Sequence, residues 1–90
     1  MSAQLAVERA TGQKVEHLEA VPVVETFKGK MVWEGMVEIF KVPTDPPSLA
    51  YGWAVESDKG TQWVAVLGTP PINSALDAVR AWLVSEAQKK

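Results

Sequence analysis

Apolar and polar positions alternate with period two through the middle of the chain and shift to a helical spacing at its end, which predicts a sheet followed by a helix. The clearest stretch is Met31 to Val42. There Trp33, Val37 and Ile39 point to one face with Gly35 between them, and Glu34, Met36 and Glu38 point to the other. Val21 to Phe27 is rich in β-branched residues and predicts an earlier strand, with Pro22 suited to an edge or a strand start. Lys28-Gly29-Lys30 is the turn between them. The segment Val42-Pro43-Thr44-Asp45-Pro46-Pro47-Ser48 cannot hold a ladder, because each proline lacks an N–H and restricts the residue before it.

Leu49 to Ser57 and Thr61 to Leu67 predict two further strands joined by a three-residue loop, Asp58-Lys59-Gly60. With Ser57 opposite Thr61, Val55 pairs with Trp63, Trp53 with Ala65 and Tyr51 with Leu67, while Gly52 meets Val66 and Ala54 meets Val64. One face of this hairpin is then aromatic. The other, with Ala50, Gly52 and Ala54, is small but still apolar.

After Gly68-Thr69-Pro70-Pro71-Ile72, Asn73 or Ser74 offers an N-cap, and a helix is predicted to about Gln88 with Leu76, Val79 and Leu83 as its stripe and Ala75 and Trp82 beside it. Lys89-Lys90 follow where cations suit the helix dipole. The first twenty residues are weakly patterned: Gln4 to Ala10 allows two helical turns stopped by Thr11-Gly12, and a mobile arm fits equally well. The expected organisation is therefore a flexible or weakly helical arm over residues 1–20 and one α+β domain over 21–90. Its sheet is antiparallel with three or four strands, in the order β-β-β-β-α or, with a helical arm, α-β-β-β-α. One helix covers one side of a sheet, so the small face needs a cover: either the N-terminal segment or a second copy of the chain in a symmetric dimer.

Ninety residues suffice for one core, and 47% hydrophobic with 22% charged residues is the balance of a folded domain. The absence of cysteine removes disulfides, thiolate metal sites and thiol nucleophiles, and favours a reducing, cytoplasmic setting. Charged residues interrupt the N-terminus, so no signal peptide is read there, and no stretch is apolar enough for a membrane span. A net charge of −2 with dispersed lysines disfavours nucleic acid.

Catalytic chemistry finds little purchase. His17 is the one histidine and lies in the weakly patterned arm, no serine sits in a nucleophile elbow, and no phosphate-cradling glycine loop is present. Glu34 and Glu38 share a face, but about 13 Å separates their Cα atoms at ~3.3 Å per residue, too far for paired carboxylates. No metal-ligand spacing occurs. No catalytic residue, metal or cofactor is therefore expected.

Three stretches, Val32-Trp33-Glu34-Gly35-Met36-Val37-Glu38-Ile39-Phe40, Tyr51-Gly52-Trp53-Ala54 and Val66-Leu67-Gly68-Thr69-Pro70-Pro71-Ile72-Asn73-Ser74, carry a likeness. From about Val21 to its end the chain resembles a family of small pseudomonad-type proteobacterial proteins with the pattern V-W-E-G-x-V-E-V-F, Y-A-W and V-L-x-x-P-P-[IV]-x-S, to which no activity is assigned. That family carries His-Pro where this chain has Pro46-Pro47, and the resemblance implies no functional residue. In element order alone the chain is also similar to double-stranded RNA-binding domains, but Ser74-Ala75-Leu76-Asp77 stands where those domains carry a basic cluster.

The reading is a non-enzymatic interaction module whose partner is another protein or a second copy of itself. Its candidate surface comprises Trp33, Tyr51, Trp53, Trp63, Ala50, Gly52 and Ala54. The alternatives are a weak nucleic-acid binder using Lys28, Lys30 and Lys41 with sheet aromatics, and a small-molecule binder or enzyme with an aromatic pocket.

Overall fold

Alternation in the central strands leaves apolar side chains on both faces of the sheet, and two helices meet that demand from opposite sides. The computed structural model describes residues 2–68, 72 and 74–88. Its elements are α1 (Ala3–Thr11), β1 (Glu16–Phe27), β2 (Lys30–Val42), β3 (Ser48–Ser57), β4 (Gly60–Leu67) and α2 (Ala75–Gln88). The strands form one antiparallel sheet in the order β1-β2-β3-β4. The fold is α+β, as the patterning predicts, with a helix at each end of the sequence. A fourth strand departs from the three-stranded order of double-stranded RNA-binding domains.

On one face Val23, Val37, Tyr51 and Trp53 pack with Ala75, Ala78 and Val79 of α2. On the other, Phe40, Val42 and Ala50 pack with Ala3 and Val7 of α1 and with Val15. The small face is thus covered over Ala50 and Gly52 by the chain's own first helix, which leaves no room there for a second copy. Ser2 caps α1 by accepting the Leu5 N–H, and Glu8 accepts the Val15 N–H at 3.1 Å, tying the helix to the segment that enters β1.

The strand β1 begins at Glu16, five residues before the apolar run starting at Val21. Residues 16–20 are all exposed, so neither face imposes alternation on the sequence. The β1–β2 turn is Lys28-Gly29 alone, both at positive φ (54° and 79°), the geometry of a two-residue turn matched to strand twist.

The second hairpin is also tighter than a three-residue loop. Gly60 already pairs with Ser57, so Asp58 and Lys59 make the turn, and Ser57 Oγ accepts the Lys59 N–H while donating to the Gly60 carbonyl. Every expected pair shifts by one: Tyr51 faces Val66, Gly52 faces Ala65, Trp53 faces Val64 and Ala54 faces Trp63. A one-residue slip exchanges faces. Trp63 accordingly lies on the α1 side and not with Tyr51 and Trp53.

Pairing between β2 and β3 runs only from Val42 opposite Ser48 to Glu38 opposite Gly52. Beyond it, residues 30–37 pair with β1 alone and residues 53–57 with β4 alone. Side chains join the two hairpins from that point. In α2, Ser74 Oγ accepts the Asp77 N–H as the serine cap requires; Asn73, the other candidate cap, and Lys89-Lys90 lie outside the described residues.

A candidate binding groove beside an ion pair

Where the central ladder ends, Trp33 of β2, Trp53 of β3 and Trp82 of α2 form a triangle of edge-to-face rings. Their centroids lie 6.0 Å (Trp33 to Trp53), 6.4 Å (Trp33 to Trp82) and 5.8 Å (Trp53 to Trp82) apart, within the favoured range for such contacts. Gly35 makes room for this: a Cβ there would stand 2.8 Å from two ring atoms of Trp33, so the indole lies across the glycine. Trp82 Nε1 donates to Glu86, whereas the buried Trp53 Nε1 has no hydrogen-bond partner among the described residues.

The end of the β1–β2 hairpin and the last turns of α2 enclose a groove of about 580 Å³ lined by Phe27, Val32, Leu83, Val84 and Ala87, with Glu25, Thr26 and Arg80 at its polar side. A bulge builds it. Trp33 opposes Glu25 and Met31 opposes Thr26, which leaves Val32 as the extra residue of β2. Strict alternation would send Val32 to the face of Glu34 and Met36, and the bulge turns it to the α2 side. Phe27 is 65% exposed and Val84 57%, so the groove lies open.

Glu25 occupies a core-facing position of β1 after Val21 and Val23, and its burial demands a partner. Arg80 of α2 supplies one through its Nε, and the Thr26 N–H supplies another at 2.9 Å. The guanidinium hydrogen bond, aided by that backbone N–H, holds the Glu25 carboxyl below the usual carboxylate range against the opposing effect of burial. The same hydrogen bond raises Arg80. Burial, with the charge of Asp77, pushes the Tyr51 hydroxyl up.

The sequence-derived candidates are dispersed. Tyr51 and Trp53 are buried under α2, Ala50 and Gly52 under α1, and Trp33, Trp63 and Ala54 are half-buried. They form two interiors and no single surface. His17 stands on the open part of the sheet, 3.3 Å from Glu38 and edge-on to Phe40, away from the groove. Among the described residues no group of three His, Asp or Glu side chains could hold a metal ion, and no helix is long and apolar enough to cross a membrane. Sequence reasoning missed the groove because period two places Val32 with Glu34 and Met36, and the bulge that turns it toward α2 leaves no mark in the pattern. A glutamate at the third inward position of an apolar strand was the available signal: Val21, Val23 and then Glu25 announces a buried charge in need of a cation.

No family model matches the chain, and no curated protein and no solved structure matches it.

Proposed function

We propose that this chain is a small, cytoplasmic, non-enzymatic binding module whose working surface is the groove between α2 and the end of the β1–β2 hairpin. The observation that carries this reading is an open apolar concavity of about 580 Å³, the size of a ligand site, flanked by large apolar side chains that the fold leaves in water. Phe27, Val32 and Val84 contribute little to either core, and a docked partner accounts for their exposure. Among the described residues, the charged side chains lining the groove are Glu25 and Arg80, and they are engaged with each other, an arrangement suited to holding a shape and a charge, not to moving a proton. Stacking of nucleic-acid bases draws no support from a sheet whose Tyr51 and Trp53 are covered.

Nile red, an uncharged dye that brightens in apolar sites, tests the reading. The folded protein is expected to bind it with a blue-shifted emission, and Val84→Glu is expected to remove the binding while leaving the circular dichroism spectrum intact. Absence of dye binding by the folded protein, or full binding by Val84→Glu, would contradict it.

A further inference from the structure

The groove has an unequal polar side. Glu25 is turned inward with its side chain 11% exposed, and its two oxygens already accept from Arg80 Nε and the Thr26 N–H. The Arg80 side chain is 57% exposed and has used one of its five N–H donors in this pair. What the ion pair still offers to the groove is therefore donor capacity on a cation. Phe27, which forms one groove wall, carries the Lys28 Nζ 5.5 Å from its ring centroid. The remaining walls, Val32, Leu83, Val84 and Ala87, are aliphatic.

From this juxtaposition we infer that the groove takes an aliphatic carboxylate of medium to long chain, its head on Arg80 and its tail along Phe27, Val32, Leu83 and Val84. This rests on the groove being the working surface and goes further by naming the ligand class. A carboxylate matches the planar fork of a guanidinium and accepts the donors that Glu25 leaves free. An unbranched aliphatic tail suits the apolar walls that the helix and the hairpin end present.

The test is displacement of Nile red by decanoate, dodecanoate and dodecanol, each below its micellar concentration. Dodecanoate is expected to displace the dye at least tenfold more tightly than dodecanol, and affinity is expected to rise on the order of tenfold from decanoate to dodecanoate, as two buried methylenes imply. Arg80→Ala leaves Glu25 buried without its cation and risks unfolding, so the head-group variant is Glu25→Gln with Arg80→Leu, which removes both charges. That variant is expected to keep dye binding and lose the preference for carboxylate over alcohol. Equal displacement by acid and alcohol would overturn the head-group assignment, and so would a preference that survives the double change. Dye binding that no carboxylate displaces overturns the inference and leaves the groove as the working surface, whereas failure of dye binding itself removes both. Light scattering during the titration identifies a further contrary outcome: a dimer that excludes dye and carboxylate alike would assign the groove to a second copy of the chain.

Discussion

A Cβ placed on Gly52 would lie 3.2 Å from both the Cβ and the carbonyl oxygen of Ala3, and 3.1 Å from Cγ2 of Val7. The first helix therefore rests on the backbone of β3, and the small face of the sheet is small because a helix lies directly on it. Substitution there has nowhere to expand. Gly52→Val is expected to cost about 1–3 kcal/mol, the usual penalty for overpacking. Denaturant unfolding measures the loss, and hydrogen exchange locates it: amides of residues 3–11 should lose protection before those of α2. Unchanged protection in α1 would contradict the contact.

Gly35 serves the opposite face in the same way. Gly35→Ala forces the Trp33 indole off the strand, and with it the contacts to Trp53 and Trp82 that hold the two hairpins together beyond the central ladder. Expected are a red shift of tryptophan emission, weaker near-ultraviolet circular dichroism and a loss of about 1–3 kcal/mol. A variant with wild-type emission would show that the ring does not lie over the glycine.

Acid should weaken the fold through Glu25. Its carboxyl titrates below its unfolded value of about 4.3, so its contribution is complete above that pH and drains away as pH falls through the lower, folded value. Glu25→Gln is expected to flatten the dependence of stability on pH between about pH 5 and pH 3, as read from urea midpoints. Parallel wild-type and variant profiles would contradict the ion pair with Arg80.

Much of this architecture is legible in the sequence, and the exceptions have physical causes. Trp33, Val37 and Ile39 declare β2, and the spacing of Leu76, Val79 and Leu83 declares α2, because in each case a buried face meets an exposed one. The first five residues of β1 escape notice because both their faces meet water and period two has nothing to record. The second hairpin is misread by one residue because Gly60 suits a loop and a strand start equally well, and only the observed pairing with Ser57 decides which. The groove depends on a bulge at Val32 and on the approach of α2 to the end of β1, neither of which is a local property of the chain.

Methyl chemical shifts recorded while Nile red is titrated into the folded protein measure most directly where this molecule meets a ligand. Shifts concentrated on Val32, Leu83, Val84 and Ala87, with Leu5, Leu49 and Leu67 still, are the predicted result. Those three leucines are also exposed but lie elsewhere on the surface, so shifts centred on them, or spread evenly over all exposed methyls, would contradict the assignment of the groove.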